Sequence, residues 1–411
     1  MEVIHRRCAG IDIGKKSAKV CVRVQGAGSR ATSTEVTDWG AMTREVLTLR
    51  EYLVAQQVTC VLMESTSDYW KPYYYLLEDA GFELVLANAG HVKNIPGRKS
   101  DVSDAVWLAD LAAHGLVRAS FVPPPAIRDL RDLTRTRTII ARERVRETTR
   151  LEKRLESPGI KLSIVASDLN GVSARRMLRA LVDGERDPEV LADLALGTMR
   201  AKRDLLVDAL TGRFGDHDAF MIGLHLDRIE QHDQAIAGLD ERIEVMIEPF
   251  RHARDLLTTI PGVSIVVADV IIAETGADMS IFPSPAHLAA WAGVAPGQNE
   301  SAGRKKQTTT RPGNSYLKGA LGIAAFAAAG SKNTYLGARY RRIAARRGGL
   351  RAVVAIERSI LTSVWHMLTD DAVYRDLGAD HYQLSHPDQI KRRAIRQLRA
   401  LGLEVDLRPA S

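Results

Sequence analysis

The sequence predicts an α/β domain followed by a mainly helical remainder, and three observations carry that expectation. Short apolar strand-like segments crowd the first quarter of the chain. Pro123, Pro124 and Pro125 then form a stiff break, because consecutive prolines cannot continue a helix and favour extended backbone. Beyond it, apolar residues recur at helical or near-heptad spacing. The length of 411 residues exceeds what one core normally organises, so two or three domains are expected.

The elements follow in order. Residues 8–13 and 19–24 cluster apolar residues on either side of Gly14, and 32–36 adds a third strand, giving an antiparallel meander. Val46, Leu49 and Leu53 place a helix over 42–56. Val58 to Met63 is an apolar strand ending at Glu64, a helix runs from about Tyr69 to Ala80, and Glu83 to Ala87 is a strand. A polar loop with Pro96 and Gly97 leads to a helix from about Asp101 to Leu116. The order β-β-β-α-β-α-β-α is that of a ribonuclease-H-like domain, expected over residues 1–122. Residues 126–156 are strongly helical, and Ile229, Ile236, Leu239, Ile243 and Met246 repeat at near-heptad spacing, so 123–252 is read as a coiled-coil arm. A small helical domain is expected over 253–370, its pattern readable from Leu256. It opens on Ile260-Pro261-Gly262-Val263, a turn similar to half of a helix-hairpin-helix, whose helix start can hold a phosphate. A basic amphipathic helix near Ile390 to Leu401 marks the tail, 371–411.

Charge is distributed unevenly. The net charge is +7, yet residues 1–117 carry 13 Lys/Arg against 14 Asp/Glu. Residues 301–356 carry 12 Lys/Arg and no acid: Arg304, Lys305, Lys306, Arg311, Lys318, Lys332, Arg339, Arg341, Arg342, Arg346, Arg347 and Arg351. A solvated basic face usually interleaves acids. A one-signed segment implies a polyanionic partner, and phosphate backbones are the commonest. Cys8, Cys21 and Cys60 show neither paired spacing nor nearby His ligands, so zinc and a disulfide framework are not expected. The first residues lack the succession of a signal peptide, and the apolar run Gly319 to Gly330 is too short to span a bilayer. A cytoplasmic protein with no membrane partner is the expectation.

Four acids carry the chemistry. Asp12 sits on the first strand, with Ile11 and Ile13 turned to the opposite face. Glu64 ends the strand that runs beside it in this topology. Asp101 and Asp104, three apart, share a helix face that continues through Leu108 and Leu111, which places them on the buried stripe. Unpaired buried carboxylates are costly, and a divalent cation neutralises several at once. Oxygen-only ligands suit Mg²⁺ or Mn²⁺, and phosphodiester chemistry is the expected task. Helix-start acids and a strand-end cap are the plainer readings of Asp101, Asp104 and Glu64. Gly10 to Ser17 also resembles the first phosphate loop of actin-like sugar kinases; the second phosphate loop and the adenosine loop of that fold are not evident. Ser301 lies between glycines on a loop and is followed at once by Arg304, Lys305 and Lys306. A hydroxyl there can approach a phosphate closely, with cations beside the developing charge; an ordinary polar loop serine is the plainer reading.

With Gly-Ile-Asp12-Ile-Gly, Met-Glu64-Ser, Lys-Ser-Asp101-Val-Ser-Asp104-Ala, Ile-Pro-Gly-Val, Ala-Gly-Val-Ala-Pro-Gly and Glu-Ser301-Ala-Gly assembled, the chain resembles the DEDD transposases of the insertion-sequence family one-ten over nearly its whole length. That resemblance implies an N-terminal domain similar to Holliday-junction resolvases (RuvC-like), in which Asp12, Glu64, Asp101 and Asp104 bind Mg²⁺. It implies a small mainly helical C-terminal transposase domain, with Ser301 as a nucleophile forming a covalent phosphoserine link to DNA. It also implies a homo-tetramer or dimer of dimers in which the metal site of one subunit meets the serine of another, and a structured guide RNA that the element encodes and that pairs with donor and target DNA. Arg304, Lys305, Lys306, Arg311, Lys318, Arg341, Arg342, Arg346 and Arg347 are the expected nucleic-acid contacts. A junction-resolving endonuclease that uses metal-activated water is the alternative.

Overall fold

The computed structural model describes residues 2–27, 31–65, 67–93, 95, 103–297, 300–301, 303–305, 309–385 and 387–406, excepting the side chains of 91, 93, 300, 301, 305, 383 and 389. The chain divides into two units, Met1–Val122 and Pro123–Ser411.

The first unit is built on a five-stranded sheet: β1 (Arg7–Ile13), β2 (Ser17–Val24), β3 (Ser33–Gly40), β4 (Cys60–Glu64) and β5 (Glu83–Ala87). Their order is β3-β2-β1-β4-β5, with β1, β2 and β3 antiparallel and β4 and β5 parallel to β1. The helices are α1 (Thr43–Ala55), α2 (Trp70–Leu77), α3 (Ala89–Lys93) and α4 (Asp104–Ala113). Ala9, Ile11 and Ile13 pack with Val46, Leu49 and Leu53 of α1 and with Tyr73 and Leu77 of α2. On the other face Cys8, Cys60, Leu62 and Val85 pack with Trp107, Leu108 and Leu111 of α4. Strand β1 is therefore covered on both sides, which is why its sequence is almost wholly apolar and small. The three cysteines are free and buried, and burial pushes the Cys8 and Cys21 thiols up to about 11 and that of Cys60 to about 12.

In the second unit, α5 (Pro125–Leu155) and α10 (Asp216–Met246) are long helices of 31 residues each. Arg137 pairs with Asp240, Arg144 with Asp233 and Arg154 with Asp218. One number rises as the other falls, so the two helices run antiparallel. Between them α6 (Leu162–Val165), α7 (Val172–Val182), α8 (Pro188–Asp193) and α9 (Arg203–Leu210) close a core of their own around Met177, Leu191, Leu206 and Ile222. The rest comprises α11 (Arg251–Thr258), α12 (Ile265–Thr275), α13 (Pro285–Trp291), the two-residue strands β6 (Glu300–Ser301) and β7 (Arg304–Lys305), α14 (Ser315–Gly330), α15 (Tyr335–Arg347), α16 (Gly349–Asp370), α17 (His381–Ser385) and α18 (Pro387–Ala400). Its core joins α12, α14 and α16 to Ile127 and Leu130 at the start of α5 and Ile243 near the end of α10. Among the described residues, no helix is long and apolar enough to cross a membrane.

Candidate active site

Packing of α4 on β1 sets the position of the acids. The Cys8 Sγ donates to the Ala109 carbonyl at 3.2 Å. A Cβ on Gly10 would fall 2.3 Å from both the Ala105 carbonyl oxygen and the Ala109 nitrogen. Only glycine fits there, and α4 lies directly on the strand. Contacts move back along α4 as β1 moves forward. Asp12, the next residue on this face, lies about 6.7 Å further along the strand, a little more than one helical turn of about 5.4 Å. Asp104 is the first residue of α4, and the Ser103 Oγ accepts from the Val106 N–H at 3.4 Å.

Glu64 reaches the same edge from β4. The last parallel pair of β1 and β4 is Ile11 opposite Met63, so Asp12 and Glu64 each follow one residue on, in neighbouring strands. Met63 packs on the α1 side and Leu62 on the α4 side, which turns Glu64 toward α4. Asp12 and Glu64 are half-buried. Asp104 is exposed, against the expectation that it lies on the buried stripe: the helix begins at 104, Ser103 takes the cap, and Leu108 and Leu111 lie in the core. Asp101 lies outside the described residues.

The donors at this edge are carboxylate oxygens, a set that fits a hard divalent cation. Asp12, Glu64 and Asp104 are not gathered within a single ion's shell. Among the described residues the trio with ligand atoms within 4.8 Å of one another is His5, Cys60 and Glu83, at the opposite end of β4 and β5. Two ions, about 3.5–4 Å apart, need a span wider than one shell.

Ser301 lies in a ribbon where a loop was expected. Its base is closed by two glycines: a Cβ on Gly313 would fall 2.4 Å from the Gly293 nitrogen, and Gly293 has φ +73°. Above them Pro296 bridges Thr310, and the Gly297 N–H donates to the Thr309 carbonyl at 3.2 Å. Then β6 pairs with β7, setting Ser301 opposite Arg304 beside the turn that holds Gly303 at φ +73°. The side chains of Ser301 and Lys305, and all of Lys306, lie outside what is described. Lys318 reaches back to the ribbon, donating to Thr310 Oγ1 at 3.0 Å.

Arg304 and Arg311 are exposed, as are Arg341, Arg342, Arg346 and Arg347 on α15. Arg341 donates to the Lys332 carbonyl at 2.8 Å, and Arg342 stacks 3.9 Å from the Tyr382 ring centre. The Ile-Pro-Gly-Val turn packs closely on α14 at Gly262. A Cβ there would fall 2.3 Å from the Ala324 carbonyl oxygen, so the turn is used to seat α14. Glu274, fully buried at the end of α12, was missed from sequence. Its signal is an acid beside Ile271, Ile272 and Ala273 in a helix otherwise apolar but for Asp269 and the terminal Thr275.

A transposase family model of the DEDD type from IS110 elements matches residues 9–158, and a second, described as transposase IS116/IS110/IS902 family, matches 254–341. The chain belongs to the IS110 family of transposases. The first match contains Asp12, Glu64, Asp101 and Asp104; the second contains Ser301, its ribbon and Arg304 to Arg341. A DEDD domain of this family implies a divalent cation. This IS110-family chain is similar to an uncharacterized 42 kDa protein of insertion element IS900 from Mycobacterium paratuberculosis, 34% identical over 34% of this chain and 36% of that protein. An uncharacterized 43.6 kDa protein of IS110 from Streptomyces coelicolor is 33% identical over 35% of each. These alignments span about a third of those relatives. The transposase for insertion sequence element IS1111A from Coxiella burnetii aligns over 89% of this chain and 90% of its own length at 23% identity.

Proposed function

We propose that this chain is a transposase and site-specific recombinase that breaks and rejoins DNA through Ser301, with Asp12, Glu64, Asp101 and Asp104 holding Mg²⁺ or Mn²⁺. The observation that supports the reading is the strand register that puts Asp12 and Glu64 each one residue beyond the paired Ile11 and Met63, on the face that α4 packs against. Phosphodiester chemistry with bound cations needs carboxylates brought from separate elements to one edge. The bound cation supplies charge that neutralises the phosphate and polarises attacking and leaving oxygens.

The Ser301 Oγ attacks a backbone phosphorus. One P–O bond forms to serine as the P–O bond to the sugar breaks, the serine proton passes to solvent, and the departing sugar oxygen takes one up. Attack by another strand's sugar hydroxyl reverses the step and frees the serine. Arg304, cross-strand from Ser301, brings a guanidinium to the turn where charge develops. Support for the polyanionic partners comes from 301–356, with 12 Lys/Arg and no acid. We read these partners as donor and target DNA and a structured guide RNA, gathered on a tetramer.

The test is strand cleavage with the element's flanking noncoding sequence, matching DNA and Mg²⁺. Asp12→Asn removes cleavage while folding and nucleic-acid binding persist, and chelation of the cation does the same to the parent chain. Full cleavage by Asp12→Asn overturns the assignment of the acids.

A further inference from the structure

Glu274 is a carboxylate with no exposed surface, and its partners come from two separate parts of the chain, α5 and the start of α14. Arg135 of α5 grips both oxygens, Nε to Oε1 at 2.7 Å and Nη2 to Oε2 at 2.8 Å. The Asn314 Nδ2 donates to Oε2 at 2.6 Å. Arg131, one turn earlier on α5, stands 3.4 Å from Oε2 and donates to the backbone carbonyls of Ala273 at 3.0 Å and Glu274 at 2.8 Å.

Asn314 has a second task. Its Oδ1 accepts from the N–H groups of Tyr316 at 3.1 Å and Leu317 at 3.0 Å, so it caps α14. It directly follows Gly313, whose backbone abuts Gly293 and closes the ribbon that carries Ser301. The Arg135 guanidinium also stacks 4.8 Å from the ring centre of Tyr316. A continuous set of bonds therefore runs from α5 through Glu274 and Asn314 to the base of the ribbon.

Stability alone is a poor reason for this arrangement. Apolar residues of similar volume often serve as well as a buried ion pair, because desolvation offsets much of the attraction. What a two-toothed pair and a directed amide bond add is registry: they permit one setting of α5, α12 and the start of α14.

We infer that Glu274 and Asn314 are positioning residues that lock the base of the Ser301 ribbon to α5. The inference rests on the reading of Ser301 as nucleophile. Misplacing a reacting group by an ångström loses about a hundredfold in rate, so a loosened base slows attack without weakening DNA binding made elsewhere.

The variant that isolates the link is Asn314→Ser, because a serine still caps a helix but does not reach Glu274. Two readouts are taken on the full chain with circular dichroism as the folding control. The first is limited trypsin cleavage at Arg304, Lys305 and Lys306, mapped by mass spectrometry. The second is the rate of covalent DNA adduct formation at saturating DNA. The expected result is native helicity, several-fold faster cleavage at those sites, and adduct formation slowed by about tenfold or more at unchanged DNA affinity. Native helicity with parental rates in both assays overturns the inference. If Asn314→Ser does not fold, Asn314→Asp keeps the cap and replaces the donated bond with repulsion, and the same two rates decide. Faster trypsin cleavage in a variant whose parent forms no adduct retains the anchoring and removes the reading of Ser301.

Discussion

Asp12 and Glu64 stand one residue beyond the paired Ile11 and Met63, at the ends of adjacent parallel strands and on the face that α4 covers. Neighbouring strands lie about 4.8 Å apart, so two half-buried carboxylates share one edge of the sheet.

Glu64→Gln and Asp104→Asn are each expected to lower the cleavage rate on the order of a hundredfold, with DNA affinity held. Single-turnover cleavage in Mg²⁺ measures this. Parental rates in either variant remove that residue from the cation site.

Gly10→Ala tests whether α4 must touch β1. The added Cβ meets backbone atoms of Ala105 and Ala109 at 2.3 Å, and neither can yield without moving the helix. The expected loss is about 1–3 kcal/mol in urea unfolding, accompanied by lost cleavage because Asp104 moves with α4. An unchanged midpoint contradicts the packing described.

Glu357 of α16 is buried, and among the described residues its Oε2 has no hydrogen-bond partner. Burial raises its carboxyl above the ordinary 4.5, and Lys318 opposes the shift. The folded chain therefore keeps this proton where the unfolded chain has released it. Stability falls as pH rises from the ordinary value through the raised one. Glu357→Gln should raise the thermal midpoint at pH 7, and the gain should vanish near pH 4. A gain that persists there, or a loss at pH 7, contradicts the protonation described.

Replacing Arg341, Arg342, Arg346 and Arg347 by Ala is expected to weaken nucleic-acid binding and flatten its salt dependence by about one unit of slope for each phosphate that is no longer neutralised. Titrations at several salt concentrations give the slope. An unchanged slope removes α15 from the interface.

The sheet was legible because its strands alternate with period two, and the flanking Ile11 and Ile13 fix which way Asp12 faces. Asp104 was misplaced because spacing alone shows which residues share a face, and the Ser103 cap decides where the helix starts. The ribbon was hidden because four strand residues among glycines and threonines give no periodicity to read. Arginines of α5 are engaged internally, Arg137 with Asp240 and Arg144 with Asp233, pairings of distant residues that no local pattern reveals. Glu274 was beyond reach for the same reason: its partners lie 139 residues back and 40 ahead, and no local pattern joins them.

The central claim is that Ser301 forms a bond to DNA. A denaturing gel of the chain co-expressed with its flanking noncoding sequence, given matching DNA and Mg²⁺, tests it most directly beside Ser301→Ala. The account predicts a covalent protein–DNA band in the parent chain that is absent from Ser301→Ala, together with loss of cleavage. Cleavage that persists in Ser301→Ala with no adduct in either chain contradicts it, and assigns the attack to water at the carboxylate edge.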